Sequence, residues 1–108
     1  MNYVIRMIWA LLLALEGRTP EALKKMDSDC QKYGALAFFS TSEVAEFYTL
    51  VGEPEKALDW LERAVRNGDE RDAWFRRDPL LVKIRDLTRF RQILESIESH
   101  RKSRTGSK

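Results

Sequence analysis

Residues 52–65 read GEPEKALDWLERAV, and a weaker copy, GRTPEALKKMDSDC, begins 35 residues earlier at Gly17. Each copy opens with a glycine, has a proline two or three residues later, and has an alanine five residues after the glycine. Glycine suits the left-handed position that follows a helix, and proline suits the first turn of the next helix. The doubled phrase therefore predicts two helix–turn–helix hairpins.

Apolar residues recur at helical spacing along most of the chain, and no segment shows clean period-two alternation. The sequence 40–43 (Ser-Thr-Ser-Glu) has the form of a capping box, which predicts a helix start. The predicted helices are 3–15, 20–33, 40–51, 54–66, a short one at 79–84, and a last one that starts at Asp86 or Thr88. The fold class predicted from these spacings is all-α.

Composition sets the broad class of the protein. A length of 108 residues, with 44% hydrophobic and 33% charged residues, predicts a folded chain that forms one small domain or part of a larger one. Its single cysteine, Cys30, excludes an internal disulfide and a multi-cysteine zinc site, and favours a reduced, cytoplasmic setting. The apolar run from Met7 to Leu15 is too short to span a bilayer. We therefore expect no membrane partner.

The charge of the chain is unevenly distributed. Residues 1–54 contain five basic and seven acidic residues, whereas residues 55–108 contain fourteen and ten. Four of those fourteen lie in the last eight residues, and no large apolar residue follows Ile97. We therefore expect residues 100–108 to form a basic, disordered tail. The basic excess of the chain therefore belongs mostly to this tail and does not predict a basic binding face.

The period of 35 residues and the small residues at fixed positions resemble tetratricopeptide repeats. In that family a small residue on the first helix is followed three positions later by a large one, then by glycine, and later by alanine. The matching residues here are Ala10, Leu13, Gly17 and Ala22 in the first unit, and Ala45, Tyr48, Gly52 and Ala57 in the second. Asp29 departs from the pattern, because a small residue is usual there. The resemblance predicts close packing of helices within each hairpin.

The segment WFRRDPLLVKIRDLTRF, residues 74–90, is similar to the end of tetratricopeptide arrays in many bacterial signalling proteins. The matching elements are the pairs Asp78-Pro79, Ile84-Arg85 and Arg89-Phe90. The resemblance thus covers about residues 3–97 and predicts repeat 1 at about 3–34, repeat 2 at about 38–69, and a closing segment at 71–99. Together they form a helical domain over residues 1–99, curved into a short superhelix.

The resemblance implies a binding module, because first helices line the inner face of such stacks. The family's groove positions fall on Val4, Met7, Leu11, Ala14, Phe39, Ser42, Glu46, Thr49 and Leu50. This mostly apolar set favours a protein or peptide partner with an apolar or amphipathic helix. The first helix is apolar nearly all round and lacks visible cover on one face. We therefore expect a longer array or a homodimer through that helix.

Chemistry-bearing residues are few. His100 is the only histidine and lies at the edge of the expected tail, and Cys30 fits a buried helix position. The chain contains no G-x-x-x-x-G-K, G-x-S-x-G or G-x-G-x-x-G motif. We therefore expect no enzymatic activity, no cofactor and no metal site.

An alternative function is nucleic-acid binding by the arginine-rich closing segment, since aromatic residues beside arginines can stack on bases. The residues concerned are Trp74, Phe75, Arg76, Arg77, Lys83, Arg85, Arg89 and Arg91. Acidic residues are interleaved with them. This favours a core role for the two aromatic residues and local pairing of the arginines.

Overall fold

The computed structural model describes residues 2–36 and 38–106, with the backbone alone for residues 38, 39 and 104–106. The helices are α1 (Tyr3–Leu15), α2 (Thr19–Lys25), α3 (Ser28–Gly34), α4 (Phe38–Leu50), α5 (Pro54–Arg66), α6 (Asp72–Arg77), a 3-10 helix (Pro79–Ile84) and α7 (Thr88–Gly106). The described residues contain no strand. The all-α prediction is confirmed.

The two copies of the glycine turn adopt the same backbone conformation. Gly17 and Gly52 have φ angles of 78° and 82°, which L-residues with a side chain rarely adopt. After each glycine, the next backbone N–H donates to a carbonyl one turn back, Arg18 to Leu13 and Glu53 to Tyr48, both at 2.9 Å. The repeated phrase thus produces the same closure of α1 and α4.

The most extensive contacts join α4 with α5 and α1 with α2, which are adjacent in the chain. α1 contacts α2, α3 and α4; α4 also contacts α5 and the 3-10 helix; α7 packs on α5 and α6. Alanines at the crossings, Ala10, Ala22, Ala45 and Ala57, are fully buried and allow the close approach that the repeat pattern predicts. The molecule measures 50 × 28 × 18 Å along its principal axes and is therefore elongated.

The predicted second helix is split into α2 and α3. Met26 leaves the helical region with ψ 65°, and the Asp27 carboxylate caps the new helix by accepting from the Cys30 backbone N–H at 3.0 Å. Arg6 of α1 donates to the other Asp27 oxygen at 3.0 Å. The single helix over 20–33 was therefore a wrong prediction, because Asp27 stabilises a helix start better than a helix interior.

Two further boundaries differ from the sequence predictions. α4 begins at Phe38, so the expected capping box at 40–43 lies inside the helix, where the Thr41 hydroxyl donates to the Gly34 carbonyl. α7 continues to Gly106, so residues 100–106 are helical rather than part of a disordered tail. Arg101 pairs there with Asp72 at 2.6 Å, which ties the extension to α6. Residues 107 and 108 lie outside the described residues.

Gly34 offers a test of the α3–α4 packing. A Cβ atom added there would lie 2.8 Å from Val44 Cγ2, and the β-branched Val44 side chain is buried and stiff. We expect Gly34→Ala to lower the free energy of unfolding by about 1–3 kcal/mol, measured by chemical denaturation. Gly34→Ala in a Val44→Ala background is expected to cost less. A Gly34→Ala protein as stable as the wild type contradicts this packing.

Candidate interaction surface and polar cluster

α1 has a buried face and an exposed face, and both are apolar. Its buried residues, Met7, Ala10, Leu13 and Ala14, lie along the side that faces α2, α3 and α4. The opposite side carries Ile5, Ile8, Leu12 and Leu15, which are 54%, 48%, 55% and 55% exposed. Because large apolar side chains are normally covered in a folded protein, this row of four on one helix is a candidate interaction surface.

We call this row the α1 seam: Ile5, Ile8, Leu12 and Leu15. Its spacing of three, four and three residues keeps the four side chains within an arc of roughly 80° around the helix axis. Val4 and Trp9 lie on either side of the row and are also exposed. The Lys25 ammonium lies 4.3 Å from the centre of the Trp9 ring, on the side of the helix that faces α2.

The α1 seam carries no charge. Arg6 is the only charged residue between Tyr3 and Leu15, and it pairs with Asp27 at 3.0 Å. On the neighbouring helix α2 the Leu23 side chain is exposed, whereas Met26, which follows α2, is buried. Leu23 is therefore a further exposed apolar side chain, on the helix next to α1.

The nine predicted groove residues do not lie together on one accessible surface. Four are buried, Val4 is exposed, three are partly buried, and the Phe39 side chain lies outside the described residues. The buried four are Met7, Ala14, Ser42 and Thr49; the partly buried three are Leu11, Glu46 and Leu50. Side chains at the four buried positions do not line an accessible groove. Binding by the remaining groove residues stays a prediction.

On α4, the predicted groove positions face the chain's own closing segment. The 3-10 helix packs on α4, the Glu46 carboxyl meets Asp78, and Ser42 accepts a hydrogen bond from Arg71 Nη2 at 2.9 Å. Two of the predicted groove residues on α4, Ser42 and Glu46, are therefore in contact with the chain's own closing segment.

A polar cluster joins α4 to this segment. Its members are Ser42, Glu43 and Glu46 of α4 with Asp69, Arg71 and Asp78 of the closing segment. The Asp69 carboxylate is fully buried and accepts from Arg71 Nε at 2.9 Å and from Arg71 Nη2 at 2.8 Å. This two-point contact fixes the guanidinium plane, so that Arg71 can also reach Ser42.

Glu46 and Asp78 form a second contact in the polar cluster. Asp78 is 1% exposed, and its Oδ1 accepts from the Leu80 backbone N–H at 2.9 Å. Among the described residues, Asp78 Oδ2 receives no hydrogen bond from an N–H or hydroxyl donor, and Glu46 can supply one only when protonated. Burial, with the adjacent Asp78 carboxylate, raises the pKa of Glu46 to about 9. Burial also raises the pKa of Glu43.

The structure places Cys30 in the core and His100 on the surface of the protein. Cys30 is buried, and burial together with nearby Asp27 raises the pKa of its thiol, which favours the unreactive protonated form. His100 is exposed on α7. Within the part of the chain that the structure describes, no cluster of His, Cys, Asp and Glu could hold a metal ion. No helix among those residues is long and apolar enough to cross a bilayer.

The arginines of the closing segment are engaged locally. Arg89 pairs with Glu55, Asp59 and Glu62 of α5 at 3.3, 2.7 and 3.2 Å. Four further arginines of this segment make local contacts: Arg76 with the Asp72 carboxylate, Arg77 with the Ala73 carbonyl, Arg85 with the Asp78 carbonyl and Arg91 with the Asp86 carbonyl. Phe75 is buried as expected, but Trp74 is exposed rather than part of the core.

The chain was compared with protein-family models, with curated proteins and with solved structures, and none of the three comparisons finds a match. The function is therefore inferred from the residues and their geometry. The α1 seam is the feature that sequence reasoning left out of the groove assignment. The signal for it was the apolar composition of α1 on all sides, which no single buried face explains.

Proposed function

We propose that this protein is a non-catalytic, tetratricopeptide-like helical module that binds protein partners through the exposed apolar face of α1. The α1 seam carries the proposal, because four adjacent large side chains there keep about half of their surface in contact with solvent. Covering such a row with another apolar helix removes that surface from water, which is the main driving force of protein association.

The arrangement of charge favours a protein partner over a nucleic acid. A nucleic-acid surface needs free cations, whereas Arg89 is surrounded by three carboxylates and Arg76 contacts a fourth. The α1 seam has no cation at all. Nucleic-acid binding remains the second hypothesis, and exposed Trp74 is the one aromatic residue of the closing segment that favours it.

A helical peptide tests the proposed function. We expect a fluorescent amphipathic peptide, with leucines at three- and four-residue spacing and no net charge, to bind with a Kd of roughly 1–100 μM, measured by fluorescence anisotropy. An Ile8→Glu/Leu12→Glu protein is expected to bind at least about tenfold more weakly, because burying carboxylates against apolar side chains is costly.

Val82→Glu is the matched control, since Val82 is equally exposed but lies on the 3-10 helix. The control is expected to bind the peptide like the wild type. Equal binding by all three proteins, or none by the wild type, contradicts the proposed function. Tight binding of single-stranded RNA that weakens steeply between 50 and 200 mM salt supports the second hypothesis instead.

A further inference from the structure

The spacing of the α1 seam identifies the kind of helix that fits it. Ile5, Ile8, Leu12 and Leu15 follow the alternation of three and four residues that forms the contact line of a coiled coil. The interval pattern reads three, four, three from either end of the helix. A copy of the same helix running in the opposite direction therefore presents the same row, with Ile5 opposite the partner's Leu15 and Ile8 opposite the partner's Leu12.

We propose that the occupant of the α1 seam is a second copy of this chain, packed antiparallel through α1 in a two-fold symmetric dimer. This inference rests on the proposed function, of which it names the partner. In such an isologous contact the same surface serves both subunits, so the surface must match itself. The α1 seam does so in spacing, and its lack of charge offers nothing that would select a charged partner.

The direction of packing follows from the charge at the helix end. Glu16 follows α1 and is exposed. Antiparallel packing places this carboxylate near the first turn of the partner's α1, where the positive end of the helix dipole stabilises a negative charge. The Asn2 side chain already caps the Val4 and Ile5 N–H groups there, so the dipole carries this preference. Parallel packing places the two Glu16 carboxylates at the same end, where they repel each other.

The available area sets the expected affinity. Val4 and Trp9 flank the four seam residues, and all six side chains are about half exposed. If a large apolar residue has roughly 200 Å² of accessible surface, the six expose roughly 600 Å² on each subunit. Covering both copies buries roughly 1,200 Å², which is the lower limit for specific interfaces. We therefore expect a reversible dimer with a dissociation constant in the range of about 1–100 μM.

Sedimentation velocity of the full chain between 5 and 500 μM tests the dimer. The wild type is expected to shift from monomer to dimer over this range, whereas Leu12→Glu stays monomeric throughout and Val82→Glu follows the wild type. Circular dichroism checks that Leu12→Glu remains helical. If Leu12→Glu does not fold, the milder Leu12→Gln, expected to raise the dissociation constant at least about tenfold, replaces it. A wild type that stays monomeric at 500 μM overturns the inference.

Disulfide trapping tests the direction of packing. In the antiparallel arrangement Ile8 faces the partner's Leu12, whereas like residues lie a further helical turn apart, too far for a disulfide. Mixed Ile8→Cys and Leu12→Cys proteins are expected to form a heterodimeric disulfide, and each alone is expected to form little. Wild type reports the background from Cys30, which is buried. Efficient trapping of either variant with itself overturns the antiparallel packing.

The two proposals fail in different ways. If the wild type is monomeric but still binds the helical peptide through Ile8 and Leu12, the second copy is wrong and the proposed function stands. If the wild type neither dimerises nor binds the peptide, both are wrong.

Discussion

Replacing Asp69 with alanine is expected to lower the free energy of unfolding by about 2–4 kcal/mol. Breaking a buried ion pair by removing one partner typically costs about 3–5 kcal/mol, because the other charge loses its compensation. The Asp69 side chain is fully buried, but that of Arg71 is 42% exposed and can recover some hydration, which reduces the expected loss. Urea denaturation of wild type and variant measures the difference.

Two further variants separate charge from packing at this position. Asp69→Asn keeps the size and one acceptor oxygen for Arg71, so it is expected to lose less stability than Asp69→Ala. Arg66→Ala removes an exposed ion pair with Glu62, 3.6 Å long, and is expected to change stability by less than about 0.5 kcal/mol. If Asp69→Ala costs no more than Arg66→Ala, the Asp69–Arg71 contact does not hold the closing segment.

Raising the pH is expected to destabilise the protein through Glu46. The folded chain holds the Glu46 proton up to its pKa of about 9, whereas the unfolded chain releases it near 4.5. The folded state therefore binds more protons between these values, and stability falls as the pH rises. We expect the free energy of unfolding to fall by about 2–4 kcal/mol between pH 5 and pH 9. This fall is smaller than the full shift of the Glu46 pKa implies, because Glu46 is only partly buried and water weakens the effect.

Glu46→Gln tests the assignment of this pH dependence. Glutamine resembles the protonated carboxyl in size and can donate a hydrogen bond to Asp78 at any pH. The variant is expected to lose most of the fall and to be more stable than the wild type at pH 8.5. Glu43 contributes in the same direction, since burial raises its pKa as well. The control is Glu95→Gln, on the exposed surface of α7, which is expected to keep the wild-type dependence of stability on pH. A wild type whose stability does not change between pH 5 and pH 9 contradicts the role of Glu46.

The helices that follow a clear start signal were predictable. Pro54 opens α5 and Asp78-Pro79 opens the 3-10 helix where the sequence places them, since proline and a capping carboxylate act locally. The break at Met26–Asp27 depends on a tertiary contact as well, because Arg6 of α1 binds the capping Asp27. A pattern read along one helix does not contain that contact.

The α1 seam was harder to predict from the sequence than the helices. Helical spacing in α1 allows several apolar faces, and only the positions of α2, α3 and α4 decide which face is buried. On α4, likewise, the sequence pattern does not show that Ser42 contacts Arg71 or that Glu46 contacts Asp78. In both places, tertiary structure decides which segment covers the helix face. The spacing of residues along that one helix does not contain this information.

The most extensive helix contacts, α1 with α2 and α4 with α5, join helices adjacent in the chain, and this has a consequence for how the chain folds. Contacts between elements close in sequence need only short loops to close, and chains rich in such contacts fold quickly. The contact between α4 and α5 involves neither end of the molecule, since α1 packs on α4 and α7 packs on α5. The hairpin can therefore serve as the nucleus, with the two ends opening and closing on it as separate cooperative units.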